Sequence, residues 1–149
     1  MKLSTKGRYG VKAMVELAIN YGGAPLSIKT ISSRQNISEY YLEQLFSPLR
    51  KAKLITSIRG AQGGYILSYE PKDIKVSDIM YVLEGPIEIA ECIDGTACDN
   101  IECCATRLLW EKIKNSIDEV MEGVTLQDIV NDYNKIKEKN EVLELVRSR

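Results

Sequence analysis

The sequence predicts a mainly α-helical fold with a small β wing, in which a winged helix-turn-helix domain is followed by a long dimerisation helix. Three amphipathic segments come first and fill most of residues 5–52. Two short alternating segments around a glycine-rich turn follow and predict a β-hairpin. A longer segment after Thr106 then carries an apolar stripe close to a heptad pattern. Three helices followed by a hairpin is the order of a winged helix-turn-helix.

The composition limits the classes of protein to be considered. With 149 residues, of which 44% are hydrophobic and 28% charged, the chain is long enough for one compact domain with an appended element. It has no apolar run of membrane-spanning length and no leader pattern at its start, so we expect a cytoplasmic protein with no membrane partner. It also has no histidine, the commonest general base, and we expect no enzymatic activity.

The first three helices are marked by their apolar periodicity and by capping residues. Residues 5–21 form the first, with an apolar residue at every third or fourth position. Ser27 caps a short second helix that runs to about residue 35, and Ser38 caps a third over residues 39–52. In a winged helix-turn-helix this third helix enters the DNA major groove, so its solvent face is the predicted reading surface.

That solvent face of the third helix is polar, aromatic and basic, which also suits an ordinary solvated surface. We expect it to offer base-contacting groups, and these are Ser38, Tyr40, Tyr41, Glu43 and Gln44. Glutamine pairs with adenine, and a glutamate accepts a hydrogen bond from cytosine. The basic residues near it are expected to hold phosphates, and these are Lys6, Arg8, Arg50 and Lys51. The partner implied is double-stranded DNA; a protein-interaction adaptor that uses the same fold without DNA is the rival interpretation.

The predicted wing has strands at residues 54–59 and 65–69, joined by a turn at Gly60–Gly64. Arg59 stands beside three glycines, and a narrow minor groove attracts arginine. Glycines allow close approach to a backbone, although the same run also suits an ordinary flexible turn. We therefore predict that Arg59 contacts DNA.

The second half of the chain begins with a linker in which Ser77 caps a short helix over residues 78–84. A long helix follows from Thr106 to Glu122, and a capping box at Thr125 starts a last helix that ends near Lys139. The predicted divisions are a winged domain at 1–70, a linker and short helix at 71–91, a cysteine segment at 92–104, the dimerisation and C-terminal helices at 105–139, and a charged, frayed tail at 140–149.

The long helix predicts how two copies associate. Its apolar stripe consists of Leu109, Trp110, Ile113, Ile117, Val120 and Met121. This stripe either packs back on its own domain or forms a two-fold seam. We expect a homodimer, because helix-turn-helix proteins usually read paired half-sites as dimers.

All four cysteines of the chain, Cys92, Cys98, Cys103 and Cys104, lie in the segment 92–104. The segment also contains glycine, aspartate and asparagine, which predict an irregular loop able to wrap an ion. Five residues separate Cys92 from Cys98 and Cys98 from Cys104, a wider spacing than that of common zinc knuckles and closer to that of iron–sulfur loops. A structural zinc, a disulfide staple and an iron–sulfur or zinc enzyme remain the alternatives.

The chain resembles the IscR-type winged-helix transcription regulators, a bacterial iron–sulfur-sensing group, over nearly its full length. The matching stretches are Leu3-Ser-Thr-Lys-Gly-Arg-Tyr-Gly10, Ile37-Ser-Glu-Tyr-Tyr-Leu-Glu-Gln-Leu-Phe-Ser47 and Leu49-Arg-Lys-Ala-Lys-Leu-Ile-Thr-Ser-Ile-Arg-Gly-Ala-Gln-Gly-Gly-Tyr65, together with the cysteine segment and the Leu-Leu-Trp110 after it. The resemblance implies a homodimeric repressor of iron–sulfur assembly genes, whose choice of promoter changes with cluster occupancy.

By the same resemblance, Cys92, Cys98 and Cys104 hold a 2Fe–2S cluster. The family places a histidine three residues after the last cysteine, where this chain has Arg107, and arginine is not a ligand. The fourth ligand is then Cys103, a carboxylate or water, or a residue of the partner subunit. A cluster-free repressor of the same superfamily that responds to thiols or metabolites is the alternative function, and a zinc-clipped DNA-binding protein is another.

Overall fold

The computed structural model describes residues 3–94 and 104–149 and is mostly helical, with one two-stranded antiparallel sheet. The helices are α1 (Thr5–Ile19), α2 (Ile28–Gln35), α3 (Glu39–Lys51), α4 (Val76–Glu84), α5 (Glu91–Asp94), α6 (Ala105–Gly123) and α7 (Leu126–Arg147). The strands are β1 (Ile55–Ile58) and β2 (Gly64–Leu67), and a 3₁₀ turn covers Pro71–Asp73. Among the described residues, no helix is both long and apolar enough to cross a bilayer.

The helix starts follow the predicted capping chemistry. The hydroxyls of Ser27 and Ser38 accept hydrogen bonds from backbone N–H groups in the first turns of α2 and α3. Asn36 ends α2 in the left-handed conformation, with φ of 53°, and so provides the turn into α3. These local signals set the short turn between α2 and α3 and the residue at which α3 begins.

The core lies between α1, α2, α3 and the hairpin on one side and α4 and the start of α7 on the other. It contains Met14, Leu17, Ile31, Leu42, Leu45, Phe46, Leu49, Ile55, Leu67, Ile74, Ile79, Leu83 and Leu126. The ring of Tyr65 in β2 lies edge-on to Phe46 of α3, with 4.8 Å between the ring centres. The wing is therefore held directly against the buried side of α3.

Helix α4 packs along the first half of α1 and begins earlier than the sequence predicted. Its first residue is Val76 rather than Asp78, because the Asp78 carboxylate accepts a hydrogen bond from the backbone N–H of Lys75 at 2.9 Å. Asp78 thus belongs to the first turn, and the predicted cap Ser77 lies inside the helix. Gly85 ends α4 with φ of 76°.

Helices α6 and α7 are joined at Val124, and Thr125 and Asp128 form the predicted capping box at the start of α7. The predicted end of α7 near Lys139 is wrong, because the helix continues to Arg147. The residues beyond 139 are mostly glutamate, leucine, valine and arginine without glycine or proline, so nothing in this stretch stops the helix. No residue of α6 is fully buried.

Candidate DNA-binding surface and cysteine segment

Helix α3 separates an apolar side from a solvent side as predicted. Leu42, Leu45, Phe46 and Leu49 are buried. Ser38, Glu43, Gln44, Arg50 and Lys51 are exposed, and Tyr40 is 71% exposed. The side chains predicted to read bases therefore stand on the accessible face of the helix.

Tyr41 differs from the other predicted base-contacting residues, because it is half-buried. Its ring lies edge-on to the ring of Tyr9 in α1, with 5.9 Å between centres and an interplanar angle of 84°. The Nζ of Lys12 lies 5.7 Å from the centre of the same Tyr9 ring. Tyr9 and Tyr41 thus connect the start of α1 to the start of α3, a contact between distant residues that no local sequence pattern marks.

Two further predicted DNA contacts, Lys6 and Arg8, lie in the first turn of α1 and are exposed. With Arg50, Lys51 and Arg59 they make five exposed cations. None of the five forms an ion pair with another residue of the described chain. Their charges remain available for phosphates, which is what a phosphate-contacting surface requires.

Arg59 directly follows β1 and is exposed, immediately before Gly60, which has φ of +117°. The base of the wing is held more tightly. Leu26 and Tyr65 exchange backbone hydrogen bonds of 2.7 and 3.1 Å, and a Cβ on Gly64 would lie 2.3 Å from the Leu26 carbonyl oxygen. Gly64 therefore allows the close backbone contact that fixes the direction of the wing.

The cysteine segment is described only at its two ends. Cys92 lies in α5 and Cys104 is the N-cap residue of α6, and both are half-buried free thiols. Cys98 and Cys103 lie outside the described residues. Helix α5 packs against α6. Within the described parts of the chain, no three possible ligands come together.

The environment of Cys104 favours its thiolate. The Thr106 hydroxyl lies 3.1 Å from the Cys104 Sγ and is the main cause of a lowered pKa of this thiol, and the backbone N–H of Arg107 adds to the effect. Cysteines at helix N-termini commonly have depressed pKa values, and the thiolate is the form that binds metals. The Cys104 thiolate therefore suits an iron–sulfur cluster, and it equally suits zinc.

Arg107, at the position where the resemblance implies a histidine, is half-buried on the first turn of α6. Its Nε lies 3.1 Å from Oε1 of Glu111, one turn further along α6. The guanidinium is thus positioned near Cys104 by an acidic residue of the same helix. An arginine guanidinium stays protonated in proteins, so it supplies a positive charge and does not coordinate a metal.

Comparisons with known proteins give consistent results. A profile of the Rrf2 family, described as iron-dependent transcriptional regulators, matches residues 3–132. The chain is 49% identical over 131 residues to the HTH-type transcriptional regulator CymR of Bacillus subtilis (strain 168), an alignment that covers 88% of this chain and 91% of CymR.

Solved structures agree with the sequence comparison. The structure of CymR of B. subtilis, described as the global cysteine regulator, superposes with a TM-score of 0.76 at 46% identity and covers 88% of this chain and 97% of CymR. The structure of T. potens IscR superposes with a TM-score of 0.75 at 50% identity and covers 89% of this chain and 88% of that chain.

Proposed function

This chain belongs to the Rrf2 family of transcriptional regulators, and from that premise we propose that it changes its choice of promoter according to whether its cysteine segment holds an iron–sulfur cluster. Membership confirms the predicted winged-helix fold and the predicted IscR-type resemblance. The chain is a DNA-binding transcription regulator, and its relatives are regulators rather than enzymes.

The DNA contacts of this proposal are those of the exposed surface. Gln44 and Glu43 on α3 read base edges, while Lys6 and Arg8 at the start of α1 hold phosphates. Arg59 on the wing reaches the backbone or the adjacent minor groove. The support for these roles is the shared exposure of all five residues and the absence of ion pairs, among described residues, at Lys6, Arg8 and Arg59.

The observation that carries the sensing proposal is the position of the two described thiols. Cys92 lies in α5 and Cys104 is the N-cap residue of α6. The third predicted ligand, Cys98, lies between them in the sequence. The Cys104 thiol has a lowered pKa. A bound iron–sulfur cluster supplies a link between thiolates that depends on iron and on redox state. Holding it would fix the start of α6 relative to α5.

The fourth ligand remains part of the proposal. Arg107 is not a ligand, and the carboxylate of Glu111 on α6 is already paired with it. Cys103, a carboxylate or water, and a residue of the partner subunit are the three choices. Whichever ligand serves, the Arg107 guanidinium places positive charge near Cys104, which favours the more reduced, more negative state of a cluster at this position.

Coupling to DNA would pass through α4, which connects the winged domain to the cysteine segment. Gly85 follows α4 directly, and Glu84, the last residue of α4, accepts a hydrogen bond from the N-terminal turn of α1. That turn carries Lys6 and Arg8. Cluster binding after Gly85 would therefore act, through Glu84, on the first turn of α1. It would do so by shifting the populations of the positions that this turn occupies.

We also place a homodimer in this proposal, with the apolar side of α6 as its seam. Leu109 is 50% exposed, Trp110 37% and Val120 65%, although α6 also contacts α4 and α5 of its own chain. The interpretation that α6 packs wholly on its own domain would bury this stripe. Its exposure favours the two-fold seam.

Anaerobic reconstitution tests the sensing proposal. The protein should take up iron and sulfide and develop visible charge-transfer bands, and Cys92→Ala, Cys98→Ala and Cys104→Ala should each abolish or sharply reduce these bands. Cys103→Ala should change the spectrum only if Cys103 is the fourth ligand. Gel shifts of loaded and cluster-free protein on genomic fragments should then give different promoter sets. Tight zinc binding with no uptake of iron would mean that the cysteine segment is a structural zinc site in a DNA-binding protein.

A second function is favoured by the similarity to CymR, which is described as a cysteine regulator. On this alternative the chain needs no cluster, and a thiol metabolite changes its DNA affinity. Cysteine, a second small thiol and serine as the non-thiol control are titrated into DNA complexes of the cluster-free quadruple variant Cys92→Ala, Cys98→Ala, Cys103→Ala and Cys104→Ala. A response of this variant to the thiol compounds alone supports the alternative, and a response that requires the cluster supports the main proposal.

A further inference from the structure

The second half of α7 extends away from the body of the protein. Every residue from 131 to 149 is exposed, whereas Leu126 at the start of the helix is fully buried and Val130 packs on the core. The Rrf2 profile ends at residue 132, so the extended part lies beyond the region that defines the family. An exposed helix of this length needs another surface to stabilise it, because short isolated helices are marginal in water.

The extended part continues a heptad pattern that begins in the body. If Leu126 is a first-position (a) residue, the a residues are Leu126, Tyr133, Asn140 and Arg147, and the fourth-position (d) residues are Ile129, Ile136 and Leu143. In the extended part Tyr133 is 42%, Ile136 61% and Leu143 44% exposed. Tyr133, Ile136 and Leu143 thus extend the apolar side that packs α7 on its own domain, and no described residue of their own chain buries them.

Two a positions of the extended part are polar, Asn140 in its middle and Arg147 at its end. Asparagine at an a position is tolerated in two-stranded coiled coils, where it pairs with its copy across the seam and fixes register and strand number at some cost in stability. On a free helix surface the residue type would be immaterial. Its place between Ile136 and Leu143 is therefore compatible with a two-stranded seam and favours two strands over a larger number.

The charges that flank the stripe match a second copy of the same helix. In a parallel pair, each seventh-position (g) residue faces the fifth-position (e) residue five places later in the other chain. The two such pairs are Asp132 with Lys137 and Lys139 with Glu144, and both join opposite charges. None of these four residues forms an ion pair with another described residue of its own chain.

We propose that the extended part of α7, from residue 133 to residue 147, forms a parallel, in-register two-stranded coiled coil with a second copy of this chain. The parallel direction places both winged domains at the same end of the pair, where one DNA duplex reaches both α3 helices. An antiparallel pair would carry the two domains to opposite ends. The seam adds to contacts made elsewhere in the dimer, because two copies already held together present their α7 helices to each other at high effective concentration.

The proposal rests on the proposed homodimer, to which it adds a second contact, but not on the cluster, and it is tested on the full-length protein with and without reconstitution. The double variant Ile136→Glu with Leu143→Glu should raise the dimer dissociation constant at least about tenfold in a dilution series followed by sedimentation. The matched control is Val142→Glu with Leu145→Glu, two residues that are 59% and 66% exposed but lie outside the a and d positions. The control should leave the constant unchanged within about twofold.

Circular dichroism checks that the two double variants keep their helices. Glutamate is a good helix former, so both double variants should keep the helix content of the native protein. An unchanged dissociation constant in the Ile136→Glu, Leu143→Glu protein overturns the proposal. Equal weakening by the control variant also overturns it, because the contact would then involve a different side of α7.

A charge exchange tests the direction of the pair. Lys137→Glu alone should weaken the dimer, because the introduced carboxylate would face Asp132 of the partner subunit. Adding Asp132→Lys should restore most of the lost affinity in a parallel pair. In an antiparallel pair e residues face e residues, so the added change would restore nothing, and that outcome overturns the parallel arrangement.

Discussion

The backbone N–H of Gly7 donates a hydrogen bond to the carboxylate of Glu84 at 2.9 Å, although the two residues are 77 positions apart in the chain. The same N–H lies 3.2 Å from the Ser4 hydroxyl, which caps α1. A carboxylate at the N-terminus of a helix is favoured by the helix dipole. The first turn of α1, with Lys6 and Arg8, is therefore held by the last residue of α4.

We expect Glu84→Ala to lower the free energy of unfolding by about 1 kcal/mol, because one hydrogen bond and one favourable charge at a helix terminus are lost. Glu84→Gln keeps an acceptor oxygen and should lose less. Urea unfolding of the two variants measures the difference. Equal losses would assign the effect to the charge, and no loss in either variant would mean that Ser4 alone satisfies the Gly7 N–H.

The contact between α1 and α4 also depends on a glycine. A Cβ on Gly10 would lie 2.0 Å from Cδ1 of Leu83, which is 5% exposed. Gly10→Ala should therefore lower stability by about 1–3 kcal/mol. Gly123→Ala is the control, since nothing lies within 4 Å of its Cβ, and it should be neutral or stabilise by up to about 1 kcal/mol.

A second change tests whether the Gly10 effect is the steric one. Leu83→Ala removes the methyl group that the new Cβ would meet. The double variant Gly10→Ala with Leu83→Ala should then be more stable than the sum of the two single losses predicts. Strict additivity in thermal unfolding would mean that Gly10 acts through its backbone conformation instead.

The contact between the wing and DNA is best measured by the salt dependence of the DNA affinity. Arg59→Ala should weaken binding to all DNA sequences about equally and reduce the slope of log affinity against log salt by about 1 for each subunit that lost a phosphate contact. Lys72→Ala removes an exposed cation that is paired with Glu70 at 3.2 Å on the 3₁₀ turn, and it should leave the slope unchanged. A native slope in the Arg59→Ala protein would remove the wing from the phosphate contacts.

The α6 seam is tested by placing charge in the middle of its stripe. Ile113 and Ile117 are half-buried in the single chain. Ile113→Glu with Ile117→Glu should give monomers in sedimentation, because four carboxylates would have to be buried at the two-fold seam. Asn115→Glu with Ser116→Glu, at exposed positions of the same helix, should remain dimeric. A dimer of native affinity in the first variant would place the main seam elsewhere.

The thiol of Cys104 should react over a different pH range when its hydrogen bond is removed. Because the Thr106 hydroxyl lowers the pKa of this thiol, the native thiolate persists to lower pH than that of an ordinary cysteine, whose pKa is ~8.5. In cluster-free protein, Thr106→Val should raise the pKa and slow alkylation of Cys104 at mildly basic pH, whereas Thr106→Ser should not. Peptide mass spectrometry across a pH series measures both rates, and identical profiles would mean that the helix N-terminus alone sets the pKa.

Several features were determined by short stretches of sequence. The caps at Ser27, Ser38 and Thr125 predicted where α2, α3 and α7 begin, because a hydroxyl three residues before a free N–H acts within one turn. The alternation around the glycines predicted the wing in the same way. Together with apolar periodicity, these signals were enough for the fold class and for the exposed side of α3.

Other features depended on residues far apart in the chain or on the competition between signals. The bond from Gly7 to Glu84 and the packing of Tyr9 on Tyr41 have no local signature, because each joins two elements whose separation is set by the packed core. The charged composition after residue 139 suggested fraying, but its residues are helix formers and α7 runs to Arg147. The sequence by itself thus determined the main helices and the wing and which of their sides are apolar, since these depend on neighbours a few residues away. Only the tertiary structure decided which surfaces meet and which stay free, since burial depends on every element at once.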